Sequence, residues 1–132
     1  MTKNSDNIMQ KTFLVLGSLM GALSVMIGAF GAHALKKLLL ENGRTDVFET
    51  AVKYQFYHAF ALLITGLLLF KVQHKFFDYA GFSFLTGTLI FSGSLYILCV
   101  TNIKWLGAIT PIGGVFMIAG WLFLAYALIK SL

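Results

Sequence analysis

The stretch Leu16–Leu35, LGSLMGALSVMIGAFGAHAL, decides the fold. Gly17, Gly21, Ser24, Gly28 and Gly31 recur in it at steps of four, three, four and three. On an α-helix those steps keep every small residue on one stripe, where a second backbone can lie close. The other faces carry Leu19, Met20, Leu23, Met26, Ile27 and Phe30, which suit lipid or neighbouring helices. The stripe ends at His33, the first ionisable side chain after Lys11. This is the pattern of a membrane-spanning helix built to pack.

Composition places the rest of the chain in the same solvent. Of 132 residues, 58% are hydrophobic and 11% charged, where ordinary soluble domains carry roughly a quarter charged residues. With a mean hydropathy of +0.83, the apolar surface exceeds what a small soluble core can hide. The formal charge of +5 comes from Lys and Arg scattered near the ends of apolar runs. A nucleic-acid binder would cluster them on one face, so they read as headgroup contacts and topology signals. Cys99, the only cysteine, lies inside an apolar run and reads as a packing residue. The run Phe13–Phe30 is too long for a signal-peptide core of roughly 7–15 residues. Although Ala32-His33-Ala34 resembles a cleavage site, the glycine seam predicts a retained helix.

Working outward, residues 1–11 read as a polar, frayed N-terminal tail and residues 12–132 as one four-span membrane domain. The first span covers about Thr12–Leu35, long enough at about 1.5 Å per residue to cross a hydrocarbon core of roughly 30 Å. Lys36–Arg44 reads as a charged connector with an Asn42-Gly43 turn. Asp46 is the expected cap of the next helix, with Glu49 as its capping-box partner. Glu49 and Lys53 then form a solvated face. Only Ala59–Phe70 is free of strongly polar side chains, too short to span alone. The second span therefore borrows polar turns and runs about Tyr54–Phe70, which sets Gln55 and His58 at the membrane boundary. Lys71–Phe77 is a basic connector, with His74 solvated and Asp78 the expected cap of a third span, Tyr79–Val100. The fourth covers about Leu106–Ile129; Pro111 either starts its regular part or kinks its first turns. Gly113 and Gly120 share one face of it, with Met117 between them. The expected fold is all-α, an integral-membrane four-helix bundle with small-residue seams.

Four spans put both termini on one side. That side holds Lys3, Lys11, Lys71, Lys75 and Lys130; the other holds Lys36, Lys37, Arg44, Lys53 and Lys104. The count is even, but Lys53 belongs to a helix, so the expectation is cytoplasmic termini in a cell-membrane protein.

Four pieces of the chain carry a family resemblance: GAFGAHAL at Gly28–Leu35, FETAVKYQFYHAFALL at Phe48–Leu63, FSGSLYIL at Phe91–Leu98 and LGAITPIGGVFMIAGW at Leu106–Trp121. With these in order, the chain resembles an uncharacterised family of small four-span bacterial membrane proteins, the YwdK- and YgdD-type proteins, with small eukaryotic relatives. The N-terminal tail is the main part outside it. The resemblance implies a multi-pass plasma-membrane protein and brings no activity with it.

Candidate chemistry is sparse. His33 closing the first span and His58 opening the second could together ligate haem or a metal, or relay protons; the plainer reading sets each at the headgroups or bonded to a neighbouring helix. Gln55 on an apolar face either bonds across helices or lines a path. Tyr54, Tyr57 and Tyr96 read as belt or packing residues. Thr110-Pro111 with Gly113-Gly114 could form an unwound binding segment of the transporter kind, although helix initiation explains the same residues. No nucleophile–base set, phosphate-binding loop or metal-ligand spacing occurs, so no catalytic residue, cofactor or metal is expected. The expected function is a non-enzymatic packing, assembly or scaffold component of the membrane, with a homo-oligomer or another membrane protein as partner and no nucleic acid. The alternative is a small transporter or channel using Gln55, His58 and His33.

Overall fold

The computed structural model describes residues 2–132, with side chains described from Ile8 onward. The chain is all-α with five helices: α1 (Thr2–His33), α2 (Lys36–Asn42), α3 (Thr45–Leu68), α4 (Lys75–Thr101) and α5 (Leu106–Ser131). Three contain a segment long and apolar enough to cross a membrane, namely Ile8–His33, Lys75–Thr101 and Leu106–Ser131. The fourth long helix, α3, does not pass that criterion, because Lys53, Gln55 and His58 lie inside it.

Several expected boundaries move. Met1 lies outside the described residues, and the segment expected to fray is helical from Thr2. The connector Lys36–Arg44 is mostly helix: α2 turns over with Leu39 buried beneath it, and Gly43 ends it at φ 65°. That left-handed conformation is one a Cβ disfavours, which is why a glycine stands there. Asp46 does not cap α3, whose cap position is Arg44 with no side-chain bond; Asp46 sits in the first turn instead. Nor does Asp78 cap α4. His74 does, accepting the Phe76 N–H at its Nδ1 over 3.2 Å. It is only partly exposed, with its ring against Phe76 and Tyr126. Pro111 falls inside a continuous α5, so the unwound-segment reading is excluded.

The long helices form three antiparallel seams, α1 on α3, α3 on α4 and α4 on α5. The glycine stripe of α1 faces α3. A Cβ at Gly17 would stand 2.9 Å from Leu63 Cγ and 3.0 Å from the Ala59 oxygen, and at Gly28 it would stand 3.3 Å from Val52 Cγ1. At Gly31 it would enter the ring of Phe48. Gly21 is looser, with Ala59 Cβ at 4.0 Å. The buried Ser24 folds its hydroxyl onto the Met20 carbonyl of its own helix. The most extensive seam is α4–α5. There the backbones nearly touch: a Cβ on Gly87 would stand 2.8 Å from the Gly113 oxygen, and one on Gly113 would stand 2.7 Å from the Gly87 oxygen. A Cβ on Gly120 would stand 2.7 Å from the Phe84 ring, and Met117 is buried between Gly113 and Gly120. Phe13 is the link from α1 to α4, fully buried, under Gly81 and edge-on to Phe82.

Candidate functional site

The polar side chains inside the bundle are few; Ser24 and Thr65 bond carbonyls of their own helices, and most of the others reach across to another helix. Gln55 of α3 is buried, donating from Nε2 to the Met20 carbonyl of α1 at 3.0 Å and accepting at Oε1 from the Tyr96 hydroxyl of α4 at 2.5 Å. One side chain thereby joins three helices. One turn earlier, Ser92 of α4 donates to the Ala51 carbonyl of α3 at 2.7 Å. Ser94 and Thr110 share a hydroxyl bond of 2.6 Å between α4 and α5. Gln10 of α1 donates to the Leu69 carbonyl at the end of α3, at 2.7 Å. Without water, an unpaired polar group in the hydrocarbon core costs several kcal/mol, so such groups find partners on neighbouring helices.

His58 is buried, with its ring between Phe84 and Trp121. Its Nε2 stands 3.1 Å from Trp121 Nε1 and its Nδ1 stands 2.7 Å from the Tyr54 oxygen. An indole N–H can only donate and a carbonyl can only accept. Those two partners fix the ring as the neutral tautomer with its proton on Nδ1.

The two histidines do not meet. His33 is exposed at the end of α1. The register of Gly31 on Phe48 and Gly21 on Ala59 sets His58 about ten residues deeper, roughly 15 Å at about 1.5 Å per residue. Where the sequence reading sets His58 and Gln55 near a span end, the register sets them well inside the bundle. Gln55 bonds the carbonyl of Met20, midway along Ile8–His33, so both groups lie near the centre of the helices. Among the described residues no group of three His, Cys, Asp or Glu is placed to hold a metal.

Trp121 carried no polar signal in the sequence, since its role depends on a histidine of another helix. Tyr96 likewise looked like packing, yet it holds Gln55. Tyr54 and Tyr57 are both exposed, the Tyr54 ring lying against Phe91 and Tyr57. Glu49 and Lys53 are both exposed. Cys99 is fully buried, its Sγ 3.7 Å from the Arg44 oxygen.

At the α2 end the connectors are tied to each other. Asn42 donates from Nδ2 to the Cys99 carbonyl at 2.9 Å, satisfying an acceptor in the last turn of α4. Arg44 Nε donates to Asn102 Oδ1 at 3.2 Å.

The family model described as a protein of unknown function (DUF423) matches residues 27–114. The chain is similar to the UPF0382 membrane protein SH2409 of Staphylococcus haemolyticus, 46% identical over 120 residues, covering 91% of this chain and 97% of the relative. It is also similar to the UPF0382 membrane protein YwdK of Bacillus subtilis, 42% identical over 123 residues, covering 92% and 99%. No solved structure matches.

Proposed function

The chain belongs to the DUF423 family of UPF0382 membrane proteins, and we propose that within it this protein is a non-enzymatic, four-span packing or assembly component of the cell membrane. The observation that carries the reading is how the buried polar side chains are spent. Gln10, Gln55, Ser92, Ser94 and His58 each bond a group on another helix or at its end. A conducting path needs polar groups free to solvate what passes, and bridged groups are committed elsewhere. Among the described residues no nucleophile stands beside a base in the bundle, and the buried histidine, His58, is held between an indole and a carbonyl.

Counting α3 as the fourth span rests on its 24 residues, roughly 36 Å at about 1.5 Å per residue, and on its seams with two helices that do qualify. Its polar groups are paired inside the bundle, and Lys53 can extend its stem toward the headgroups. Four crossings place both termini together, and the proposed side is the cytoplasm.

The partner surface follows from the seams. Ser18, Ala22, Val25 and Ala29 form an exposed small-residue face beside the α1–α3 groove, suited to another helix of a second copy or of a different membrane protein. Purification in mild detergent, followed by native mass measurement and a proton and solute flux assay in liposomes, tests the reading. The expected result is a stable oligomer or partner complex with no flux above that of empty liposomes. A partnerless monomer that conducts, with flux lost in a Gln55→Ala, His58→Ala double variant, would replace it with the transporter reading.

A further inference from the structure

Along the outer side of the α1–α3 seam runs a groove in two sections that share Val25 and Phe56, of about 350 Å³ and 220 Å³. One wall is α1; the other is the edge-to-face pair Phe56 and Phe60 of α3, with ring centroids 5.0 Å apart. From Ala29 to Gly17 the groove follows twelve residues of α1, about 18 Å at about 1.5 Å per residue. It is apolar except at its mouth, where Lys53 and Tyr57 stand, both exposed. A Cβ on Gly28 would stand 3.3 Å from Val52 Cγ1, so Lys53 lies level with Gly28, five residues or roughly 8 Å inside the end of α1 at His33. Helical side chains lean toward the N-terminus of their own helix, and for α3 that is the nearer membrane face. The Lys53 stem thus carries its ammonium up to headgroup level, and the Tyr57 ring is of the kind found at that depth. Lys53 has no ion pair among the described residues; Glu49, one turn toward the N-terminus, is exposed and makes none with it.

Charge and length select the occupant. An apolar helix seated in the groove would cover Lys53 without answering its charge. This chain has no acidic residue between Asp6 and Glu41 or after Asp78, so neither the α1 span nor the α5 of a second copy supplies one there. A phospholipid supplies both parts. Its phosphate sits at the depth of the ammonium, and its acyl chain crosses half of a roughly 30 Å hydrocarbon core, about 15 Å, which fits within the groove. A headgroup with a cation of its own would set a like charge against Lys53, which favours one that is net negative. We propose that the α1–α3 groove binds an anionic phospholipid, with its phosphate on Lys53 and one acyl chain lying between α1 and the rings of Phe56 and Phe60. The site goes beyond the assembly reading and stands without it: the small-residue face of α1 lies beside the groove, and a helix packed there flanks the lipid.

The test is native mass spectrometry of the full chain in mild detergent, titrated with dioleoyl phosphatidylglycerol, the matching phosphatidylcholine, or glycerol phosphate. The parent binds the anionic lipid about fivefold more tightly than the zwitterionic one, the scale of one lysine near an anionic headgroup, and does not bind glycerol phosphate. Lys53→Gln removes that preference. Lys104→Gln, on the same membrane face but off the groove, retains it, and so does Glu49→Gln, which takes away a competing carboxylate. Ala22→Phe fills the lower section and weakens both lipids at least fivefold. Lys53 and Ala22 are exposed, so without lipid both variants keep the parent's thermal midpoint. Equal or absent binding of the two lipids, a preference that survives Lys53→Gln, or unchanged binding by Ala22→Phe would overturn the proposal. Glycerol phosphate bound as tightly as the lipid would do the same, leaving a phosphate site without a chain. So would disulfide cross-linking between copies carrying Phe56→Cys and Cys99→Ala that the anionic lipid does not diminish, which would give the groove to a second copy.

Discussion

Trp121 on α5 donates its indole N–H to Nε2 of His58 on α3 at 3.1 Å, joining two helices that form no extended seam with each other. The Phe84 ring of α4 packs against both, His58 at 5.7 Å and Trp121 at 5.0 Å between centroids. The bond therefore closes a triangle of three helices around one aromatic ring. A histidine at this depth is tolerated because it is neutral and both ring nitrogens are engaged.

Replacing His58 separates a structural histidine from one that merely fills space. His58→Leu leaves the Trp121 N–H without an acceptor in an apolar setting, and should cost about 1 kcal/mol, the scale measured for polar bonds between membrane helices. His58→Asn keeps a polar partner for the indole and should unfold nearer to the parent. Detergent unfolding of the two variants checks the order. A His58→Leu protein as stable as the parent would contradict it.

The glycines form a graded series. Gly113→Ala and Gly17→Ala push a Cβ into backbone and packed side chains, and overpacking of that kind costs about 1–3 kcal/mol. Gly113 should be the more sensitive, because its neighbours include the Gly87 oxygen and other backbone that cannot rotate away. Gly21→Ala meets only Ala59 Cβ at ordinary contact distance and gains helix propensity. Its midpoint should equal or exceed the parent's. A destabilised Gly21→Ala alongside a neutral Gly113→Ala would refute the seam assignment.

These sites show what was legible in the sequence. The α1 stripe could be read because small residues at helical spacing are periodic, but its partner could not, since nothing in α1 names α3. The α4–α5 seam is the tighter one, although Gly87, Gly113 and Gly120 are more widely spaced. The α2 helix was hidden because Lys36, Lys37 and Asn42-Gly43 look like a connector. Polar side chains set the start of the second span near Tyr54, since such groups usually mark a membrane edge. Gln55 and His58 have partners on other helices, near the middle of α1 and well inside the bundle. Pairing between distant residues is what a single sequence does not display.

His74 gives a test outside the apolar segments. It caps α4 through its Nδ1 and the Phe76 N–H. His74→Ala should destabilise by about 1 kcal/mol, and His74→Asn, a stronger capping residue, should restore the loss or exceed it. Thermal unfolding of the pair decides it; two equal losses would show that ring packing on Tyr126 outweighs the cap.

Topology is tested by labelling. In a Cys99→Ala background, an impermeant thiol reagent applied to intact cells should modify a cysteine placed at Asn42 and spare cysteines placed at Lys71 or Lys130. The reverse pattern would invert the orientation, and labelling of both Asn42 and Lys71 would remove α3 from the spans.

Gln55, His58, Ser92 and Ser94 are committed to bonds between helices, and His58 reports on that commitment most directly. Solid-state nitrogen NMR of histidine-labelled protein carrying His33→Gln and His74→Gln, in a bilayer at pH 7, reads its ring alone. The account predicts a neutral imidazole with the proton on Nδ1 and an unprotonated, hydrogen-bonded Nε2 that returns to an unbonded shift in Trp121→Phe. An imidazolium, a proton on Nε2, or a spectrum indifferent to Trp121→Phe would contradict it.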